Sequence, residues 1–136
     1  GVLGLAYKPG TPVVERAFAG DLSRWLTREG RRVIGWDPAA MGEFRKELGD
    51  TIGYAESGND CLKRSDVVVV TLPLPELPAL DWSLAKAATV VDCWRCLPDS
   101  VAAQVGRYVP LGKGPSEDLA SWLERSAGPQ LRLLTS

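Results

Sequence analysis

Histidine is absent from all 136 residues. That excludes the Ser-His and Cys-His nucleophile pairs and leaves a zinc site only thiols and carboxylates to draw on. Cysteine is scarce, and at three residues odd in number, so no disulfide framework is expected. No apolar run reaches membrane-spanning length, and neither a signal peptide nor a lipidation motif is evident. Charge of either sign is not in excess: 16 basic residues face 17 acidic ones, and no basic stripe marks a polynucleotide surface. These absences define the expectation of a soluble, cytoplasmic protein that meets neither nucleic acid nor membrane.

What is present suffices for one core. The chain is 45% hydrophobic, and its length fits a single domain. It opens on Gly1-Val2-Leu3-Gly4-Leu5-Ala6-Tyr7, already inside what reads as a buried strand. A start of this kind is expected of a domain cut from a longer polypeptide, so a site here would be part of a larger one.

Beyond a turn at Lys8 to Pro12, Phe18, Leu22, Trp25 and Leu26 fall at helical offsets 0, 4, 7 and 8, which predicts one apolar face. Gly30 stands where a left-handed C-cap belongs. A second strand is predicted over Arg32 to Trp36, ending at Asp37-Pro38, then a helix over Ala40 to Leu48. A short strand near Thr51 to Tyr54 and a weak helix near Asn59 to Arg64 follow. In Asp66 to Leu72, four consecutive valines without alternation predict a central parallel strand buried on both faces. A proline-rich loop (Pro73, Pro75, Pro78) leads to a short helix around Trp82 to Ala87 and a strand at Thr89 to Asp92. Pro98 to Val105 reads as helical, and Tyr108-Val109 as a last short strand. A division at residue 112 is expected, with a tail from 113 to 136 carrying a helix over Ser116 to Arg125. Strands alternating with helices at this spacing indicate an α/β domain: a doubly wound, mostly parallel, Rossmann-like sheet flanked by helices. Such sheets bind ligands beyond the carboxyl ends of their strands. Here those ends are Tyr7 to Thr11, Asp37, Leu72 and Asp92 to Arg95.

Within these segments the first loop is the foremost candidate. Lys8 offers a point charge suited to phosphate, and the helix N-terminus beyond offers free N–H groups. The spacing from Gly4 to Gly10 is too wide for the G-x-G-x-x-G fingerprint, and a proline-stiffened turn with a solvated lysine would read the same. Asp37 lies 33 residues after Gly4, where dinucleotide folds place a ribose-binding carboxylate; Asp-Pro is equally an ordinary turn opener. Cys93-Trp94-Arg95-Cys96 is a C-x-x-C that admits a redox or half-zinc reading, against one of apolar packing. Arg95 could hold a phosphate or a uracil-like edge, or be a surface arginine. Trp94 could stack on a base or pack on the sheet.

An ordered set of motifs runs through residues 1–112: Gly4-Leu5-Ala6-Tyr7-Lys8-Pro9-Gly10-Thr11, the strand ending in Asp37-Pro38, the run from Ser65 to Val70, Leu80-Asp81-Trp82 and the Val90-Val91-Asp92 strand. In that order they resemble the C-terminal domain of the UDP-glucose/GDP-mannose dehydrogenase family, which opens on a similar G-L-A-F-K-x-x-T segment. The resemblance implies a C-terminal domain that closes over the nucleotide of a UDP-sugar or similar nucleotide-sugar. It also implies an N-terminal domain, outside this chain, that binds NAD and carries the catalytic cysteine, and a homodimer in the full-length enzyme. The reaction implied takes a sugar primary alcohol to a uronic acid by two NAD-dependent oxidations through a thioester. Tyr7, Lys8 and Thr11 are implied as substrate-binding residues. Arg95 joins them with its register displaced by one from the family's D-G-R-N.

Two departures stand out. Where many members read T-D-D-x-R-E-S, this chain has Thr11-Pro12-Val13-Val14-Glu15-Arg16-Ala17, so Glu15 stands at the place of an arginine that reaches NAD; Arg16 could substitute only by a shift of register. Cys61, Cys93 and Cys96 lie outside any G-G-x-C-x-P context, so no catalytic residue, metal or bound NAD is expected within the chain itself, and the isolated chain is expected to be inactive. Two other readings stay open: an assembly or binding module that has lost its nucleotide, and an adenine-dinucleotide module using Asp37.

Overall fold

Six short parallel strands in the order β3-β2-β1-β4-β5-β6 organise the computed structural model of the chain, which describes residues 1–112. They are β1 (Val2–Leu3), β2 (Ile34–Trp36), β3 (Gly53–Tyr54), β4 (Val67–Val70), β5 (Thr89–Asp92) and β6 (Arg107–Pro110). Every pairing is parallel, and the order is the 3-2-1-4-5-6 arrangement of dinucleotide folds. From β1 the chain steps outward to β2 and β3, then returns to the other side of β1 for β4 to β6. This reversal of direction is that of a doubly wound sheet, in which right-handed crossovers put helices on opposite faces. The predicted tail helix over Ser116 to Arg125 lies outside the described residues.

The strands obey their sequences with two instructive differences. The opening run was expected to be extended through Tyr7, yet the ladder stops at Leu3. At Gly4 the backbone takes φ 106°, where a Cβ would meet Leu72 Cβ and Thr71 Oγ1 at 2.8 Å each. Only glycine makes that turn at that proximity. Beyond it, Leu5 and Ala6 spend their N–H groups on a side chain instead of a neighbouring strand. The valine run forms β4, but Val67 at its entrance is 48% exposed, and only Val68 and Val70 are fully enclosed.

Helix α1 (Phe18–Arg28) ends as its sequence predicts. Gly30 takes φ 77°; its N–H donates to Thr27 O, and that of Arg31 to Leu26 O, completing a Schellman cap. Its buried face, however, matches the expected one only in part. Ala19, Gly20 and Ser23 are buried, Leu22 and Leu26 are partly so, while Phe18 (56%) and Trp25 (54%) stand exposed. The remaining helices, α2 (Met41–Leu48), α3 (Gly58–Lys63) and α4 (Asp99–Ala102), fall within a few residues of expectation. The stretch after the proline-rich loop makes 3₁₀ turns at Leu77–Ala79 and Trp82–Ala85. Trp82 is buried, with its indole N–H donated to Leu77 O at 2.9 Å. One continuous core joins the strands to Phe44, Leu62, Trp82 and Val101.

Candidate functional site

The strand order reverses between β1 and β4, and their carboxyl ends part there. The groove at this point holds about 700 Å³. Ala6, Thr71 and Leu72 line it from the strand ends, and Tyr7 and Lys8 from the first loop. Arg16, Phe18 and Ala19 line it at the start of α1, and Cys93, Trp94 and Leu111 beyond β5 and β6. Three of the four strand ends expected to build a site therefore meet. The fourth, Asp37, does not line the groove.

The reason is that the two strand-end carboxylates hold the loops that shape it. Asp37 is 1% exposed and accepts four backbone N–H groups. Leu5 (2.8 Å) and Ala6 (3.2 Å) donate to its Oδ2, Ala39 (2.8 Å) and Ala40 (3.0 Å) to its Oδ1. A carboxylate so occupied does not fit the ribose-binding role, and the dinucleotide reading built on Asp37 is corrected to a clasp between β1 and β2. Asp92 does the same at β5. It is fully buried and accepts the N–H of Trp94 at 3.1 Å, the N–H of Leu97 at 2.9 Å and the hydroxyl of Tyr108 at 2.7 Å.

Backbone strain is found in the groove's lining and close to it. Arg16 (φ 56°), in its lining, and Arg95 (φ 52°), two residues past Cys93, both adopt the left-handed conformation that side chains rarely take. Such residues cost about 1–3 kcal/mol each and cluster at ligand sites. The first loop is closed by Tyr7 N–H donating to Val13 O at 2.7 Å. Tyr7 (62% exposed) and Lys8 thus face the groove while the loop is anchored behind them. Thr11 accepts the Val13 N–H at 3.1 Å and shapes the loop from outside the lining. Arg95 also lies outside it, its guanidinium near the turn at Gly112.

Electrostatically the groove suits an anion. Lys8 and Arg16 line it, no lining residue is acidic, and among the described residues neither cation is ion-paired. α1 begins beside them without a side-chain cap, so its N-terminal N–H groups add to the positive field. Sequence reasoning left Arg16 aside for its register and did not reach Thr71 or Leu111. The signal for Thr71 was its place at the end of the switch-point strand.

The C-x-x-C carries no sign of redox poise. Burial and then the nearby Asp92 push the Cys93 thiol up. The same two causes push Cys96 up to about 11, its Sγ lying 3.6 Å from Asp92 Oδ1. Reactive cysteines are shifted the other way. Nor is Cys96 packed away as an apolar filler, since it is exposed. Among the described residues no cluster of three His, Cys, Asp or Glu could hold a metal, and no helix is long and apolar enough to cross a membrane.

A doubly wound sheet with an anion-suited groove at its switch point defines a Rossmann-like ligand-binding domain. Comparison with known proteins specifies it further. Residues 1–99 match the model of the UDP binding domain of the UDP-glucose/GDP-mannose dehydrogenase family, and the chain belongs to that family. It is similar to the UDP-glucose 6-dehydrogenase AglM of Haloferax volcanii, at 40% identity over 80 residues, covering 59% of this chain and 18% of that protein. The UDP-glucose 6-dehydrogenase of Rickettsia bellii is 30% identical over 117 residues, covering 82% of this chain and 27% of its own. In three dimensions the domain resembles a UDP-glucose dehydrogenase from the hyperthermophilic archaeon Pyrobaculum islandicum, with TM-score 0.72 and 30% identity, covering 83% of this chain and 25% of the other. The chain thus spans roughly a quarter or less of the relatives it matches.

Proposed function

We propose that this domain anchors the nucleotide of a UDP-sugar within a nucleotide-sugar 6-dehydrogenase that takes a sugar primary alcohol to a uronic acid. The observation that carries the proposal is the switch-point groove itself, lined by two cations and no acid, in a chain whose family model is a UDP binding domain. Lys8 and Arg16 take the diphosphate, helped by the uncapped start of α1. Tyr7 packs along the nucleotide or sugar, Thr11 fixes the loop that presents both, and Arg95, outside the lining, turns from beside Gly112 to reach the ligand. Binding energy gathered on this remote part of the substrate is then available to orient the reacting carbon in another domain.

In this reading NAD serves the full-length enzyme as hydride acceptor. It is bound mainly by the N-terminal domain, which also brings the catalytic cysteine; the present residues add no ribose-binding carboxylate, because Asp37 is enclosed. The homodimer and the cytoplasmic setting belong to the same proposal. Calorimetric titration of the full-length polypeptide tests it: Lys8→Ala is expected to weaken UDP-sugar binding more than tenfold while leaving the melting temperature in place. An unchanged dissociation constant would overturn the role of Lys8. Indifference of the wild type to every uridine nucleotide would favour an assembly module that has lost its ligand.

A further inference from the structure

We infer that Trp94 is the platform on which the planar base of the nucleotide stacks, which makes it a residue that reads the base and not the sugar. The inference rests on the UDP-binding reading above and adds a specific residue and ligand part to it.

Trp94 is large, apolar and 56% exposed, yet it is held at both ends. Its backbone N–H donates to Asp92 Oδ1 at 3.1 Å, and its indole N–H donates to the carbonyl of Thr71 at 2.7 Å. Asp92 is fully buried, and the Thr71 hydroxyl is in turn bonded to the carbonyls of Leu3 and Gly4. The indole is therefore fixed to the switch point itself, between the ends of β1 and β4. Pre-ordering of this kind removes the entropy cost that a free aromatic would incur on binding.

The same bonds limit what Trp94 can offer. Its only polar group is already spent on Thr71, so a ligand meets ring surface and no donor. Around it the lining is Leu72, Cys93 and Leu111, which supplies none of the carboxylates or amides that fix sugar hydroxyls. A planar, π-faced ring suits that end of the groove. The diphosphate suits Lys8 and Arg16, which line the same groove from the first loop and the start of α1. Base–aromatic stacking is sequence-tolerant and strong enough to matter, with alanine substitution costing about five- to 150-fold in binding.

The test is calorimetric titration of the full-length polypeptide and its Trp94→Ala and Trp94→Phe variants with UMP, UDP, UDP-glucose and inorganic pyrophosphate. Trp94→Ala should weaken the three uridine nucleotides by a common factor of about five or more, leave pyrophosphate unchanged, and be largely rescued by phenylalanine. The monophosphate of 5,6-dihydrouridine, whose base is puckered, should bind the wild type more weakly than UMP but the alanine variant equally. Loss confined to UDP-glucose would place the sugar on Trp94, and a parallel loss for pyrophosphate would make the residue merely structural; either overturns the inference. Uridine nucleotides that bind the wild type and Trp94→Ala alike overturn it while sparing the nucleotide site. Failure of all of them on the wild type overturns both.

Discussion

Asp37 shows how far a single residue's position can mislead. A carboxylate at the end of the second strand sits where ribose-binding acids sit, but the turn-opener reading of Asp-Pro is the one the bonds from Ala39 and Ala40 bear out. Nothing in the sequence says that the other oxygen faces Leu5 and Ala6. Three of those four bonds are buried, and a buried donor left without a partner costs about 1–3 kcal/mol. Asp37→Ala should therefore lower unfolding stability by at least about 3 kcal/mol in denaturant titration, with Asp37→Asn in between; a change under about 1 kcal/mol would deny the clasp. Ser23 is the opposite case. It is wholly buried, and among the described residues its hydroxyl has no hydrogen-bond partner, so Ser23→Ala should be neutral or stabilising by up to about 1 kcal/mol. Cys96 supplies a pH signature. Because burial and Asp92 raise its folded pKa to about 11 from 9.0, the fold favours the thiol; that contribution is complete below about pH 9 and is lost as pH climbs through about 11. Tyr108, raised by burial and by its bond to Asp92, declines in the same direction. The fall in melting temperature over this range should be shallower, though not absent, in Cys96→Ser. Alkylation of Cys96 at neutral pH should be slow for the same reason.

At the scale of elements, the helix α1 separates what periodicity carries from what it omits. Offsets of 0, 4, 7 and 8 did find a helix and, with Gly30, its end. They found only half of the buried face, Leu22 and Leu26, because the most buried positions are small residues, Ala19, Gly20 and Ser23, whose low hydrophobicity gives no stripe. Phe18 and Trp25 remain outward. Ala19→Leu should thus cost about 1–3 kcal/mol by overpacking, whereas Trp25→Ser should change stability by no more than about 0.5 kcal/mol; the reverse order would restore the face read from the sequence. The strands were legible where apolar runs are bounded by Gly, Pro and Asp. The expected ends of β2, β3 and β5 are the observed ones. That of β1 was not legible, because the strand is cut short by the torsion of Gly4 and by N–H groups donated to a carboxylate more than thirty positions away.

For the whole molecule, alternation of strands and helices led to the correct sheet type, and the carboxyl-end rule led to the correct side of it. Tyr7, Lys8, Cys93 and Trp94 could be placed at one site on those grounds. Arg16 and Leu111 could not, since their approach depends on a left-handed turn before α1 and on the run of the chain out of β6. The groove between β1 and β4 is the centre of the account, and its occupancy by a nucleotide can be observed directly. Amide shift mapping by NMR, with UDP titrated into the isotopically labelled chain, should move Tyr7, Lys8, Arg16, Thr71 and Trp94 while leaving β3 and α4 still. Shifts confined to other surfaces, or none at millimolar UDP, would contradict it.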